Sequence, residues 1–217
     1  MSLAIFDLDN TLIKGDSDYE WGQFLVENNI VDGKEYERRN ARYYEQYKAG
    51  TMYILAFLSI SLRPLAQYDR QQLDLWHAEF MRQKILPMIG GKARALVEKH
   101  RQTGDTLVII TATNRFVTEP IAREFNIDHL IATDPEIKNG RYTGEVTGTP
   151  CFKEGKVKRL QEWLKAHQHD LDGSWFYSDS HNDLPLLNLV DHPVAVNPDS
   201  PLRAEAERLR WPILQLH

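Results

Sequence analysis

The sequence of 217 residues predicts an α/β protein built on a doubly wound parallel sheet with an inserted helical cap. Three observations favour this fold class. Short apolar runs rich in β-branched residues recur at wide intervals, as buried strands do. Helix-like patterns separate several of these runs, which is typical of parallel sheets with helical crossovers. One long stretch near the N-terminus contains no convincing strand, and we expect it to form the cap.

The predicted strands of the core are short and flanked by turn residues. They cover residues 3–6, 106–110, 130–132, 175–177 and 194–196. Helical spacing of apolar residues predicts core helices over 92–103, 116–125 and 155–166. Gly104 provides a stop for the first of these helices. Asn139-Gly140 lies between strand-like residues and indicates a hairpin with a type I′ turn.

Residues 16–85 do not show this alternation of strands and helices, because helix formers and aromatic residues dominate them. Roughly 70 residues between the first two strands far exceed what a crossover helix and its loops need. We therefore assign 1–15 and 86–217 to the α/β core, and 16–85 to a helical cap over the C-terminal edge of the sheet. The aromatic residues of the cap are expected to form its core rather than a ligand site: Trp21, Phe24, Tyr43, Tyr44, Tyr47, Phe57, Trp76 and Phe80.

Composition and charge exclude several classes of protein. A net charge of -5 provides no basic surface for nucleic acid, and 42% hydrophobic residues exclude an obviously disordered chain. A single cysteine, Cys151, excludes an internal disulfide and fits a reducing compartment. No apolar run is long enough to span a membrane, and the N-terminus leads straight into the first strand without room for a signal peptide. The expectation is a soluble cytoplasmic protein that binds neither nucleic acid nor membranes.

The most informative stretch is Ala4 to Leu12, where an apolar run ends in two carboxylates, Asp7 and Asp9. Open α/β sheets bind their ligands at the C-terminal ends of the strands. Two acids held there could bind Mg²⁺, and one of them could attack phosphorus. A turn or a helix cap explains this pair of acids equally well when the pair is considered by itself.

Three further polar clusters follow predicted strands or begin a predicted helix. They are Thr111-Ala112-Thr113, the stretch from Lys153 to Lys156, and Ser178-Asp179-Ser180-His181-Asn182-Asp183. Each has a structural explanation of its own, since hydroxyls and carboxylates cap helices and lysines lie in solvent. Together with the first pair of acids they supply the parts for phosphoryl transfer: acids for Mg²⁺, a nucleophilic carboxylate, a hydroxyl donor and a cation.

The order D-x-D-x-T, strand-T, Lys and D-x-x-x-D resembles the four motifs of the haloacid dehalogenase (HAD) superfamily. The resemblance covers essentially the whole chain. It is greatest to the subfamily that carries a helical cap between motifs one and two on a Rossmann-like core, which includes phosphoserine phosphatases and HAD-type histidinol-phosphate phosphatases. The resemblance implies a Mg²⁺-dependent phosphomonoester hydrolase that acts on a small phosphorylated metabolite through an aspartyl-phosphate.

By this resemblance, Asp7 is the nucleophile, and Asp9 is the general acid for the leaving group and then the base for water. Mg²⁺ is expected at the Asp7 carboxylate, the Asp9 backbone carbonyl and Asp179, with Asp183 close to the metal or to its water. One departure from the family pattern is Ser178, which stands where a glycine usually precedes the metal-binding aspartate. It places a side chain where the backbone usually passes close to the site.

The same resemblance assigns the phosphate contacts. Thr111 and the backbone amide of Ala112 are expected to bind the transferring phosphoryl oxygens, and Asn182 to contact the phosphate or its water. Lys156 is expected to neutralise the charge that the nucleophile and the phosphate share, with Lys153 as the alternative.

The substrate preference depends on the cap. Phosphoserine phosphatases hold the amino and carboxylate groups of their substrate with an acid after motif one and an arginine in the cap. The corresponding stretch here, 51–62, contains no basic residue and Arg63 matches poorly, so phosphoserine is disfavoured. Asp16, Asp18 and Glu20 offer negative charge beside aromatic residues, which suits an amine or imidazole, and histidinol phosphate is the expected substrate. These acids could equally cap and charge the first turn of a helix.

Other functions are compatible with the same motifs. They are a phosphoserine phosphatase, a phosphotransferase or mutase, and a silent relative that only binds a phospholigand. The intact acids Asp7, Asp9 and Asp179 disfavour the silent relative. Cys151 is not followed by the C-x₅-R loop of cysteine phosphatases, so a structural role is expected for it.

Overall fold

The computed structural model describes residues 2–49, 51 and 53–217, except for the side chains at 35, 37, 39, 40, 44, 47 and 48. The chain forms a seven-stranded sheet. Its strands are β1 (Leu3–Phe6), β2 (Thr106–Asn114), β3 (His129–Lys138), β4 (Arg141–Thr147), β5 (Trp175–Ser178), β6 (His192–Val196) and β7 (Ile213–Leu214). Their order across the sheet is β4-β3-β2-β1-β5-β6-β7, and each neighbouring pair is parallel except β3 with β4. The predicted α/β fold with a parallel sheet is confirmed.

The helices form two groups, one that follows β1 and one that begins just before β2 and continues among the later strands of the sheet. The helices of the first group are α1 (Ser17–Glu27), α2 (Gly33–Lys48), α3 (Ile54–Ser61), α4 (Arg63–Gln67) and α5 (Arg70–Phe80). A π-helical turn (Met81–Ile85) and a 3₁₀ turn (Leu86–Met88) come after them. The core helices are α6 (Gly91–Gln102), α7 (Arg115–Glu124), α8 (Glu154–His167), α9 (Leu184–Leu187) and α10 (Ser200–Leu209). None of the helices within the described ranges has the length and apolar character needed to cross a membrane.

Two strands extend beyond their predicted ends. β2 continues to Asn114, and it carries the polar residues that follow its apolar run along the edge of the sheet. β3 continues into a hairpin with β4, where Asn139 and Gly140 have φ angles of 52° and 75°. Positive φ at both positions is the geometry of a type I′ turn, as the Asn-Gly pair predicted.

The side chains of β1 alternate between the two faces of the sheet, as the pleat requires. Leu3 and Ile5 belong to the apolar cluster on one face, whereas Phe6 belongs to the cluster on the other. That second cluster continues into α1 and α5 through Trp21 and Phe80. The helices that follow β1 are therefore packed on the sheet through a shared apolar core.

The aromatic residues of 16–85 pack mainly on one another. Trp21, Phe24 and Phe80 are buried, and the ring centroid of Trp21 lies 5.6 Å from that of Phe24 and 5.2 Å from that of Phe80. Two further edge-to-face pairs are Tyr43 with Phe57 and Tyr68 with Trp76. These contacts confirm the structural role predicted for the rings. The side chains of Tyr44 and Tyr47 lie outside the described residues.

The two connections between the sheet and helices α1–α5 lie side by side. The amide of Lys14 donates to the carbonyl of Met88 at 2.9 Å, and Ile13 forms a bridge with Ile89. The chain therefore leaves the sheet and returns to it at one place. The division into a core (1–15 and 86–217) and a cap (16–85) stays a prediction.

Candidate active site

Asp7 lies at the end of β1, where its amide donates to the carbonyl of Tyr177 on β5 at 2.9 Å. The chain then turns sharply, because the carbonyl of Leu8 accepts hydrogen bonds from the amides of residues 11–13. Leu8 is buried and anchors this turn. Asp7 and Asp9 consequently emerge at the C-terminal edge of the parallel sheet, where such folds bind ligands.

Lys156 is buried between two carboxylates. Its Nζ lies 2.7 Å from Asp7 Oδ1 and 2.7 Å from Asp183 Oδ2, and both acids are buried as well. Burial by itself would lower the pKa of the lysine, but the charges of Asp183 and Asp7 raise it above its usual range. The Lys156 side chain is therefore protonated, and its positive charge neutralises part of the negative charge around it.

The first turn of α8 delivers Lys156 to this position. Gly155 packs so closely on the preceding loop that a Cβ atom there would lie 2.1 Å from the carbonyl oxygen of Pro150. Lys153 instead occupies the N-cap position of the helix with a φ of 50°, and its Nζ lies 5.4 Å from the centre of the Phe152 ring. Of the two predicted lysines, the structure places Lys156 between the acids.

Asp179 follows β5 and is linked to Asp7 through one hydroxyl group. Thr11 Oγ1 lies 3.2 Å from Asp7 Oδ2 and 3.3 Å from Asp179 Oδ1. Thr11 is fully buried, so this hydroxyl is fixed between the two acids. Because a hydroxyl has one hydrogen, it can donate to only one of the two carboxylates at a time.

Ser178 directs its side chain to a neighbouring acid. Its Oγ donates to Asp183 Oδ2 at 2.7 Å and accepts from the amide of Ser180 at 3.2 Å. Asp183 Oδ2 therefore accepts from both Ser178 and Lys156. Asn182 is buried beside it, with Nδ2 3.2 Å from Ser180 Oγ.

Asp9 is held on both carboxylate oxygens. Oδ1 accepts from the amide of Ser17 at 2.6 Å. Oδ2 accepts from the hydroxyl of Thr113 at 2.9 Å and from that of Thr111 at 3.3 Å. Burial, and then the charge of Asp16, raises the pKa of Asp9 to about 6. A carboxyl group with this pKa can both give and take a proton near neutral pH.

The other acids at this edge are also difficult to ionise. Burial raises the pKa of Asp7 to about 7; Lys156 opposes this shift, and Asp183 adds to it. Burial, followed by the charges of Asp7 and Asp183, raises the pKa of Asp179 well above its ordinary value. One buried ammonium group thus faces several carboxylates that repel one another.

Asp16 and Asp18 extend this acidic region into α1. Asp16 Oδ1 caps the helix by accepting from the amide of Tyr19 at 2.9 Å. Asp18 is buried, and its Oδ1 accepts from Asn114 Nδ2 at 3.2 Å. Burial is the main reason that the pKa of Asp16 rises to about 6 and that of Asp18 to about 7, with the charge of Asp18 acting on Asp16 and that of Asp9 on Asp18.

Glu20, the third acid predicted to set specificity, has a different environment. Its carboxylate lies 3.7 Å from Lys84 Nζ, and the same Nζ lies 2.8 Å from a carboxylate oxygen of Glu27. The structure therefore brings two of the three predicted acids toward the catalytic candidates and pairs the third with a lysine.

Sequence reasoning missed the roles of three residues in contact with these acids. Thr113 lies two residues after Thr111 on β2, and this spacing places both hydroxyls on one side of the strand. Asn114 caps α7 by accepting from the amide of Val117, a role that its position before a predicted helix could have revealed. Ser17 contributes only its backbone amide, so no sequence pattern marks it.

Cys151 is buried, and burial raises the pKa of its thiol to about 12. Its amide donates to Thr133 Oγ1 at 3.0 Å. The thiol stays protonated at neutral pH and is therefore a poor nucleophile. This agrees with the structural role predicted for the residue.

Comparisons with known proteins agree with this geometry. The haloacid dehalogenase-like hydrolase family matches residues 4–188. A protein from Neisseria meningitidis serogroup C named histidinol-phosphatase is 46% identical over 217 residues, which are 98% of this chain and 98% of that protein. A crystal structure of a protein with unknown function from Bordetella pertussis Tohama I has a TM-score of 0.94 and 44% identity, and covers 100% of this chain and 99% of the other. A substrate-bound phosphoserine phosphatase has a TM-score of 0.71 at 15% identity over 100% of this chain and 93% of the other, which indicates a shared fold.

Proposed function

This chain belongs to the haloacid dehalogenase-like hydrolase family and is a phosphatase of that family, and from this premise we propose that it hydrolyses a small phosphomonoester whose alcohol part is cationic, with histidinol phosphate as the leading candidate. Hydrolysis uses Mg²⁺ and passes through an aspartyl-phosphate on Asp7. The observation that carries this proposal is the pair of buried acids at the end of β1. Asp7 is bound to a protonated lysine, and Asp9 is held separately by uncharged donors.

The reaction divides into two displacements at phosphorus. In the first, a carboxylate oxygen of Asp7 attacks phosphorus, the bond to the ester oxygen breaks, and Asp9 gives its proton to the leaving alkoxide. In the second, water attacks the aspartyl-phosphate, its proton passes to Asp9, and the bond between phosphorus and Asp7 breaks. Asp9 ends the cycle protonated, as it began, and a pKa of about 6 suits both transfers.

Four groups are proposed to bind the phosphoryl oxygens. They are the hydroxyl of Thr111, the amide of Ala112, the ammonium group of Lys156 and the side-chain amide of Asn182. Thr111 lies on β2 and Asn182 lies in the turn that follows β5, and both residues are buried. Strands β2 and β5 flank β1, which leads into Asp7. Lys156 already lies on Asp7 Oδ1, where negative charge is shared during transfer.

The donors at this edge fit Mg²⁺, a hard cation that prefers oxygen ligands and retains several waters. Asp7 and Asp179 lie on either side of one threonine hydroxyl, and their mutual repulsion would be relieved by a cation between them. Across the side chains that the structure describes, no three Asp, Glu, His or Cys residues form a metal-binding group. The proposed set needs only two carboxylates, because its third protein ligand is the backbone carbonyl of Asp9. Mg²⁺ there would offset the charge of the transferring phosphoryl group.

The acids of α1 support a substrate with positive charge. Asp16 and Asp18 have pKa values raised to about 6 and about 7, so they are costly to ionise without a countercharge. An ammonium or imidazolium group beside them would lower that cost. Histidinol phosphate carries an amine and an imidazole but no carboxylate, so it adds no further negative charge to this region. The Neisseria meningitidis relative bears the name of that activity.

The proposal is tested with a panel of histidinol phosphate, phosphoserine and glucose 6-phosphate, in which phosphate release is measured with Mg²⁺ and with EDTA. We expect the highest kcat/KM for histidinol phosphate and loss of turnover in EDTA. Asp7→Asn should show no turnover with any substrate, since the amide cannot form the aspartyl-phosphate. A higher kcat/KM for phosphoserine or glucose 6-phosphate would refute histidinol phosphate as the preferred substrate. Full turnover by Asp7→Asn would refute an aspartyl-phosphate intermediate on Asp7.

A further inference from the structure

Thr113 contacts Asp9 without belonging to the proposed metal or phosphate ligands. Its Oγ1 lies 2.9 Å from Asp9 Oδ2, while the amide of Ser17 lies 2.6 Å from Oδ1. The carboxyl group is therefore held from two sides, by β2 and by the first residue of α1. Hydrogen bonds on both oxygens fix the plane of a carboxyl group, because each bond depends on direction as well as distance.

A second hydroxyl on β2 has a different position. Thr111 Oγ1 lies 3.3 Å from Asp9 Oδ2, which is longer than the Thr113 contact, and it also accepts from the amide of Thr113 at 3.2 Å. The proposed function assigns Thr111 to the phosphoryl group. With Thr111 engaged there, Thr113 retains its hydroxyl contact with Oδ2.

We propose that Thr113 is a positioning residue that orients the Asp9 carboxyl group toward the leaving oxygen of the substrate. This assignment rests on the proposed function, because it requires Asp9 to be the proton donor. The Thr113 hydroxyl can donate to a lone pair of Asp9 Oδ2 both when Asp9 carries a proton and when it has given the proton away, so the Asp9 proton stays free for the leaving oxygen. Thr113 acts through Asp9, because its hydroxyl contacts the Asp9 carboxyl group and is assigned no contact with the substrate.

Thr113→Val tests this assignment, because valine keeps the shape of threonine and removes the hydroxyl. The probes are phenyl phosphate and p-nitrophenyl phosphate, which differ chiefly in how much the leaving group needs a proton. The quantity compared is kcat/KM, which reports the steps up to loss of the leaving group. We expect kcat/KM for phenyl phosphate to fall about tenfold or more, as part of the gain from general acid catalysis is lost. The value for p-nitrophenyl phosphate should change little, and Thr113→Ser should restore most of the loss.

Two controls separate this role from a structural one. Thr118→Val removes another buried hydroxyl, which donates to the Asn114 carbonyl at 3.0 Å, and it should leave the ratio of the two kcat/KM values unchanged. Asp9→Asn should also lose kcat/KM selectively for phenyl phosphate, and its loss should be larger than that of Thr113→Val. If Thr113→Val does not fold, Thr113→Ala is compared with Thr113→Ser on the same two esters.

The outcomes distinguish this assignment from the proposed function. Equal losses on both esters in Thr113→Val, with a selective loss in Asp9→Asn, would overturn the role of Thr113 and leave the proposed reaction intact. Equal losses in Asp9→Asn would refute Asp9 as the proton donor, and the role of Thr113 would fall with it.

Discussion

Asp7 and Asp9 are the same residue type two positions apart, yet their partners differ. Asp7 contacts the buried ammonium group of Lys156, which favours the ionised carboxylate. Asp9 accepts from the hydroxyl and amide groups of Thr113 and Ser17, which bring no full positive charge. The pKa of about 7 for Asp7 belongs to the protein without metal, and a bound cation would lower it. The surroundings thus suit Asp7 to nucleophilic attack and Asp9 to proton transfer.

Asp18 provides a test of charge recognition at a single residue. Asp18→Asn keeps the shape of the side chain and removes its charge. Hydrogen bonds to charged groups contribute about 1.5–3 kcal/mol, so we expect KM for histidinol phosphate to rise by roughly tenfold to a hundredfold. KM for p-nitrophenyl phosphate, which has no cationic group, should stay unchanged.

Glu20→Gln is the matched control, since Glu20 lies on the same helix but pairs with Lys84. It should leave both KM values near those of the wild type. A rise in KM for p-nitrophenyl phosphate as large as that for histidinol phosphate would show that Asp18 supports the site without recognising the cation.

At the scale of the element, α8 places its lysine through a close backbone contact. The carbonyl oxygen of Pro150 occupies the space that a side chain at Gly155 would need. Because Gly155 precedes Lys156 directly, any shift that relieves such a clash also moves the lysine. The site at the sheet edge therefore depends on how the first turn of this helix packs on the loop before it.

Gly155→Ala should destabilise the protein and reduce its activity together. A Cβ atom 2.1 Å from the Pro150 oxygen forces the backbone apart, and such overpacking costs about 1–3 kcal/mol. We expect a lower urea midpoint and a lower kcat for p-nitrophenyl phosphate. Gly91→Ala is the control: it lies in the first turn of α6, and a Cβ atom there meets nothing within 4 Å. Wild-type midpoint and kcat in Gly155→Ala would contradict the proposed dependence on close packing.

At the scale of the whole molecule, the region between the sheet and α1 buries more acid than base. Asp9, Asp16 and Asp18 all have pKa values raised by burial and by one another. Folding therefore brings together carboxyl groups that repel when they ionise. The stability of the molecule must depend on pH and on the cations that are present.

The sign of this dependence follows from proton uptake. The pKa of Asp18 is about 7 in the folded protein and near 3.8 when unfolded, so the folded state binds more protons between these values. The contribution of Asp18 to stability is full below about pH 4 and is lost as the pH rises through about 7. In EDTA, the free energy of unfolding should therefore fall more steeply between pH 5 and 8 in the wild type than in Asp18→Asn. The difference should accumulate at on the order of 1 kcal/mol for each pH unit between pH 5 and about 7, where Asp18 is protonated in the folded state and ionised in the unfolded state.

Urea unfolding in EDTA at several pH values measures this difference. Glu20→Gln should keep the slope of the wild type, because its charge lies beside Lys84. Parallel curves for the wild type and Asp18→Asn would mean that Asp18 has a similar pKa in the folded and unfolded states.

Much of this arrangement could be predicted from local patterns. Buried parallel strands are short apolar runs, and polar residues directly after them must lie at the same edge of the sheet. That rule predicts Asp7, Thr111 and Asp179 at one edge of the sheet. Strand β7, in contrast, has only Ile213 and Leu214, which is too short a run for a pattern to mark.

The remaining details depend on contacts between residues far apart in the chain. The partner of Glu20 is Lys84, and the partner of Asp18 is Asn114, and neither pair follows from spacing along one helix or strand. The direction of the Ser178 side chain could not be predicted from the sequence, because packing sets the rotamer that directs Oγ to Asp183. A backbone donor such as the amide of Ser17 leaves no trace in the residue types.

The hydrogen bond between Lys14 and Met88 has a consequence for how such a protein can change over time. It joins the chain just before the predicted cap (16–85) to the chain just after it, so a cap with these bounds would start and finish within one backbone contact. Loop-closure entropy depends only weakly on the length of what lies between such neighbouring ends. A lineage could therefore lengthen, shorten or exchange the cap as one contiguous segment while the order of the strands stayed the same. The residues proposed to cleave the phosphate ester and those proposed to select its alcohol would then be inherited on separable pieces of the gene.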